Sequence, residues 1–307
     1  MSALHHHLRD YLAVRRALGY QLERDGHELG RFVEALDARG IETITVDVAL
    51  AWASRSPRGQ SCHPKRLRAI RGFARYLESI DVPVEVPPSD LLPDRRRRAV
   101  PYLYTDAEIA ALIAAAATLR TAHHAATLRT LIGVLAATGM RRGEAIALDL
   151  DDFEQRTGVI IIRAGKFGKS RELPLHPSTV IAVSEYLGRA DRPRAVEPDD
   201  RALLVGDDGR RISPNVVNHE FRALVQRAGL RPRSARCRPR AHDLRHTFAV
   251  RTLLDAYRSG EPVGPRIVAL STYLGHSEPS HTYWYLEAAP ELLALATERL
   301  EQMGDER

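Results

Sequence analysis

Residues 128–144 read Leu-Arg-Thr-Leu-Ile-Gly-Val-Leu-Ala-Ala-Thr-Gly-Met-Arg-Arg-Gly-Glu, and this stretch sets the frame for the whole chain. Leu128, Leu131, Ile132 and Leu135 recur at helical spacing, Gly139 stops the helix, and Arg141 follows the stop at once. Upstream, Thr105-Asp106-Ala107-Glu108 forms a capping box ahead of Ile109, Leu112 and Ile113, so another helix starts there. Downstream the period changes. Val159-Ile160-Ile161-Ile162 is a β-branched run, Gly165 to Gly168 make a turn, and Glu172-Leu173-Pro174-Leu175 returns as a second strand. Helical patterning resumes over 178–187, 214–228 and 243–257, and again from Pro290. The expected fold is mainly α with a small antiparallel β-sheet.

The N-terminal region is helical throughout. Leu29, Phe32, Val33 and Leu36 form one apolar stripe that Gly40 terminates, and Leu67, Ile70, Phe73, Ala74, Leu77 and Ile80 form another. On the second helix Arg68, Arg71 and Arg75 share the face away from the stripe. From Arg55 to Leu77 there are seven basic residues and no acidic one, whereas an ordinary solvated face mixes both signs. Lys65, Arg68, Arg71 and Arg75 are therefore expected to contact a polyanion. Pro83, Pro87, Pro88 and Pro93 then break regular structure, and four arginines run from Arg95 to Arg98. This reads as a basic linker, with Arg95 and Arg96 joining the expected polyanion contacts. The expected organisation is a helical domain over 1–90, a linker over 91–104 and a larger domain over 105–307.

Composition narrows the function classes. At 307 residues and 44% hydrophobic, the chain can bury real cores. No apolar run is long enough to span a bilayer, and the start carries Arg9, Arg15 and Arg16 without an apolar h-region, so no membrane partner and no signal peptide are expected. Cys62 and Cys237 lie far apart without CxxC spacing, consistent with a reducing cytoplasm rather than a disulfide or zinc scaffold. Lys+Arg total 45 against 39 Asp+Glu, yet only Lys65, Lys166 and Lys169 are lysines. A lysine kept in so arginine-rich a chain asks what arginine could not do there.

Four segments of the larger domain concentrate polar residues where helical patterning would tolerate apolar ones. They are Thr138-Gly139-Met140-Arg141-Arg142-Gly143-Glu144, Gly165-Lys166-Phe167-Gly168-Lys169, His242-Asp243-Leu244-Arg245-His246, and Leu274-Gly275-His276-Ser277 with Tyr285 nine residues beyond His276. Taken in order they resemble the signature blocks of the tyrosine recombinases, the phage-integrase family, over roughly Thr105 to Leu300. The region before them is similar in character to that family's SAM-like core-binding domain, though it offers no comparable motif.

The resemblance implies a site-specific DNA recombinase that cuts and rejoins double-stranded DNA through a 3′-phosphotyrosyl intermediate, with no cofactor, metal or ATP. The residue types suit that chemistry. Arg141 and Arg245 are planar, permanently charged donors for the non-bridging phosphoryl oxygens. Lys166 can surrender a proton to the leaving 5′-oxygen, which arginine cannot do near neutrality, and Lys169 is its rival on the same turn. His242 and His276 can hydrogen-bond the phosphate or shuttle a proton, and Tyr285 is the nucleophile. Glu144 is expected to orient an arginine, Arg142 to lie at the surface, and His246 to be a supporting or core histidine. The resemblance further implies a clamp around the duplex, aided by Arg231, Arg233, Arg236, Arg238 and Arg240. It also implies a homotetramer on two recombination sites, acting through a Holliday junction, with or without a partner recombinase. The tail around Tyr283-Trp284-Tyr285-Leu286 is most similar to transposon-borne integrases. Residues 290–303 are expected either to dock on a neighbouring protomer or to pack on their own domain. Ser259 to Gly264 reads as a lengthened connection before His276. A catalytically silent DNA-binding protein and a type IB-like topoisomerase are the alternatives.

Overall fold

A computed structural model describes residues 2–20, 22–55, 62–92, 99–163, 170–196, 200–260, 262–276, 282, 283, 285, 291–293 and 297. The chain divides into two compact units, Met1–Arg98 and Ala99–Arg307. The first unit holds α1 (Ala3–Ala17), α2 (Glu23–Asp37), α3 (Val46–Ser54) and α4 (His63–Ser79). Leu29, Phe32, Val33 and Leu36 of α2 meet Leu67, Ile70, Phe73 and Leu77 of α4 in one core, the two stripes read from the sequence. Each such buried side chain contributes roughly 1.5–3 kcal/mol. Arg66 is part of this packing. Its Nε lies 3.1 Å from the Glu28 carboxylate and its guanidinium 3.4 Å over the Trp52 ring.

The second unit contains α5 (Asp106–Ala116), α6 (Ala122–Thr138), α7 (Arg142–Ala147), β1 (Phe153–Glu154), β2 (Val159–Ile162), β3 (Arg171–Pro174), α8 (Pro177–Leu187), α9 (Pro214–Arg227), α10 (Asp243–Arg258) and α11 (Val263–Leu274). Helix α6 packs against α5, α8 and α10, and it is buried nearly all round, as a central helix must be. The three strands form an antiparallel sheet in the order β1-β2-β3, with Phe153 opposite Ile160 and Ile160 opposite Leu173. The hairpin expected from the sequence is thus extended by β1, a two-residue strand too short to announce itself by alternation.

One boundary shifts, and two further segments are placed. The 91–104 linker is shorter at its C-terminal end, because Tyr102 and Tyr104 are buried in the second unit's core. There the Tyr104 amide donates to Thr247 Oγ1 at 2.9 Å and Arg251 donates to the Tyr104 carbonyl. Of the stretch Ser259 to Gly264, Val263 and Gly264 already belong to α11. From the terminal segment, Leu292 packs into its own unit's core beside Tyr285.

Gly139 ends α6 in the left-handed region (φ 60°), and a Cβ there would lie 2.5 Å from the Phe248 ring. Both the backbone and the space require glycine. Gly139→Ala should therefore destabilise the second unit by about 2–4 kcal/mol, measured by denaturant unfolding.

Candidate active site

The site is built around the C-terminal ends of two helices. At the end of α6 the carbonyl of Gly139 accepts from Arg245 Nη1 at 3.0 Å. At the end of α11, His276 N–H bonds Ser271 O and Gly275 N–H bonds Thr272 O, with Gly275 at φ 67°. This Schellman closure satisfies two terminal carbonyls and leaves the next three for other donors. Those three are each taken by a different arginine. Tyr273 O accepts from Arg171 Nε (2.8 Å), Leu274 O from Arg245 Nη2 (2.8 Å), and Gly275 O from Arg141 Nη2 (2.8 Å). Cations at a helix C-terminus also meet the negative end of its dipole.

Arg141 caps the start of α7, where its own amide donates to Glu144 Oε2 and its Nη1 to Glu144 Oε1, both at 2.8 Å. The same carboxylate accepts from Arg171 Nη1 at 3.1 Å and Nη2 at 2.8 Å. Burial would raise the Glu144 carboxyl, but hydrogen bonds from Arg171 and Arg141 outweigh it and hold the pKa below the ordinary range. Arg245, on the first turn of α10, is only 3% exposed. Desolvation lowers its pKa to about 10, Arg141 adding to that direction and Tyr285 opposing it, so the guanidinium stays charged at neutral pH.

Two imidazoles and the phenol complete the cluster. The Tyr285 phenol lies close enough to the Arg245 guanidinium to oppose the fall in its pKa. The Tyr285 ring lies 6.0 Å from that of His276, nearly parallel, and 5.3 Å from that of His246. His246 in turn meets the His242 ring edge-on at 4.7 Å. The Thr282 hydroxyl, 2.8 Å from His276 Nδ1, sets that ring's rotation. His242 has one side open to solvent, yet partial burial and the fields of Arg245, Arg240, Arg141 and Arg142 push its pKa down to about 4. Five of the six residues expected to be catalytic (Arg141, His242, Arg245, His276 and Tyr285) thus gather in one place. Lys166 and its rival Lys169 lie outside the described residues, between β2 and β3.

The expected DNA contacts divide. Arg68 and Arg75 are exposed and Lys65 is half-buried on α4. Arg71 is half-buried and engaged internally: its Nε and Nη2 donate to the carbonyls of Pro87 (2.6 Å) and Pro88 (2.5 Å), latching the chain that follows α4. Arg95 and Arg96 lie outside the described residues. In the 231–240 stretch, Arg233 pairs with Glu108 and stacks on Tyr102, and Arg240 chelates the buried Asp243. Arg142 is half-buried and bonds the Asn218 side chain of α9.

Arg171 escaped the sequence reading. The signal for it was parity: it shares a strand face with Leu173, which is fully buried, and a charge on the inward face demands a partner.

Comparison with known proteins places the chain in a family. The model of the phage integrase family matches residues 103–291. The chain belongs to the phage integrase family. It is 37% identical, over the full length of both chains, to y4rB of Sinorhizobium fredii, a protein assigned as an integrase/recombinase. It is 28% identical to the tyrosine recombinase XerC of Chlamydia pneumoniae, covering 74% of this chain and 67% of that one. In fold it is similar to the Tn1549 transposon integrase bound to transposon right-end DNA, with a TM-score of 0.63, 17% identity, and coverage of 97% and 99%. Membership makes the chain a tyrosine-type recombinase, an enzyme that breaks and rejoins DNA.

A depressed imidazole pKa has a pH consequence. Between pH about 6.5, the ordinary histidine value, and about 4, the unfolded chain protonates His242 while the folded chain does not, so stability falls as pH falls through that window. Thermal melts over this range should drop more steeply for the unmodified chain than for His242→Gln, and parallel curves would count against the shift.

Proposed function

We propose that the chain is a site-specific recombinase working through a covalent 3′-phosphotyrosyl intermediate, with Arg141, Lys166, His242, Arg245, His276 and Tyr285 as its catalytic residues. The observation that carries the reading is the gathering of Arg245, His276 and Tyr285, with Arg141 and Arg245 anchored on the same α11 turn. Two guanidiniums that repel each other in a water-poor site form an anion receptor, and a phosphodiester supplies the anion.

The scissile phosphate sits against Arg141 and Arg245, whose donors neutralise the non-bridging oxygens and gain strength as charge develops. Tyr285 oxygen bonds phosphorus while the bond to the 5′-oxygen breaks. The phenol proton leaves by way of His276 or the neutral His242, and Lys166 gives a proton to the departing 5′-oxygen, with Lys169 its alternative. The tyrosyl phosphodiester conserves the energy of the broken bond, so a second 5′-hydroxyl reverses the step without ATP. The reaction uses no metal in this reading. Lys65, Arg68 and Arg75 of α4 hold backbone phosphates and fix register. Family membership supports two protomers on each of two sites, joined as a tetramer through a Holliday junction. The compartment is the cytoplasm, at the nucleoid. Among the described residues no helix is long and apolar enough to cross a membrane.

The test uses a duplex recovered from a randomised library by binding to the purified protein, then nicked so that cleavage traps the enzyme. A denaturing gel should show a covalent adduct that Tyr285→Phe abolishes, and no adduct on a bound duplex overturns the reading. Relaxation of plasmid DNA without a bound site would favour the topoisomerase instead. Arg245→Ala should slow adduct formation by about 10²–10³-fold while retaining most of the binding. Replacing Lys65, Arg68 and Arg75 together by alanine should lower the slope of log affinity against log salt by about 0.9 for each phosphate that is no longer neutralised.

A further inference from the structure

The proposed reaction employs Arg141 and Arg245 but leaves Arg171 without a task. This side chain is 12% exposed, opens β3 two residues after Lys169 in the sequence, and makes three hydrogen bonds. Two run to the Glu144 carboxylate and one to the Tyr273 carbonyl. Its guanidinium also lies flat against Gly275, where a Cβ would come within 3.0–3.4 Å of it. One residue thus touches the partner of Arg141, the turn that carries His276, and the strand that follows Lys166 and Lys169.

Charge accounting gives the arrangement meaning. Glu144 bears one negative charge, and its Oε1 lies 2.8 Å from Arg141 Nη1. Left alone, that carboxylate, itself only 9% exposed, would offset the Arg141 charge toward a phosphate. Arg171 supplies a second cation in bidentate geometry on the same carboxylate. We propose that Arg171 is a positioning residue for strand cleavage: it offsets Glu144 and fixes the turn before His276, so that Arg141 keeps both its charge and its aim for the phosphate. The proposal rests on the reading of Tyr285 as nucleophile and Arg141 as phosphate ligand.

The nicked duplex serves again, with single-turnover adduct formation followed on saturated complexes. Arg171→Gln keeps much of the volume and loses the charge, and it should slow adduct formation by about 10–100-fold with binding retained. Arg171→Lys keeps the charge and should remain faster than Arg171→Gln. The decisive measurement is the double variant Arg171→Gln/Glu144→Gln. Removing the uncompensated carboxylate charge should make it about tenfold faster than Arg171→Gln alone. A merely structural arginine would show no such rescue. Equal rates for Arg171→Lys and Arg171→Gln, equal losses of binding and cleavage, or a double variant that loses the product of the two single effects would each overturn the proposal. Should Arg171→Gln melt early, Arg171→Lys is compared with Arg171→Lys/Glu144→Gln. No gain is expected there because the charge is already balanced, and a gain overturns the idea. No adduct from the unmodified chain takes down the reading of Tyr285 and this proposal together. Adduct from Arg171→Gln at the unmodified rate takes down the proposal alone.

Discussion

The buried Arg245 guanidinium is the constraint on which the catalytic unit depends. Two helices, α6 and α11, end on it, each presenting a terminal carbonyl within 3.0 Å. A helix C-terminus carries roughly half a negative charge and several unbonded carbonyls, so two of them meeting in a core would be untenable without a cation between. Conversely, a guanidinium taken out of water needs such partners, or its burial would cost several kcal/mol. Each side makes the other tolerable. Both helices can end there because Gly139 and Gly275 adopt the left-handed conformation. The catalytic charge and the fold are therefore one interaction seen from two directions.

This mutual dependence explains the division of labour among the arginines. Arg245 lies deepest and holds both helix ends beside the Tyr285 phenol. Arg141 is more exposed, about 26% at its side chain, and is steered by Glu144 and Gly275. The fixed placement of both means little reorganisation is required when a phosphate arrives, which is where electrostatic catalysis gains most. A phosphate would also offset the field at His242, where the guanidiniums add to burial in disfavouring protonation, so its binding eases that imidazole's uptake of the phenol proton.

The sequence made the segments visible but not their junctions. Gly139 as a helix stop, the capping box at Thr105 and the apolar stripes of α2 and α4 are local signals, and the structure realises them as read. Arg141, Arg245 and Tyr285 were legible only as a set, through their order along the chain. What stayed hidden were arginines whose partners are backbone carbonyls far away in sequence. Arg71 on Pro87 and Pro88, Arg171 on Tyr273, and Arg211 on Ile146 and Leu148 are of this kind. A carbonyl is present at every residue, so no residue type marks the acceptor, and a basic face in the sequence overstates the charge left for DNA. Helix α4 shows the effect: of its arginines, Arg66 and Arg71 are engaged internally, while Arg68 and Arg75 face solvent.

The same reasoning accounts for which cation stands where. A guanidinium can hold a carbonyl with one nitrogen and a carboxylate or phosphate with another, as Arg141 and Arg171 both do among protein groups. A lysine ammonium at 141, 171 or 245 would be a single point donor and would abandon one partner to reach the other. The identity of these three residues is thus fixed by geometry, over and above a composition in which only three of 45 basic residues are lysines. The requirement inverts for the proton donor of the proposed reaction. A group that must release a proton to a leaving oxygen gains nothing from a second fixed donor and is disabled by a pKa that never yields. Two of the chain's three lysines fall in the sequence between β2 and β3, where the proposed reaction draws that donor and where permanent charge would be a defect.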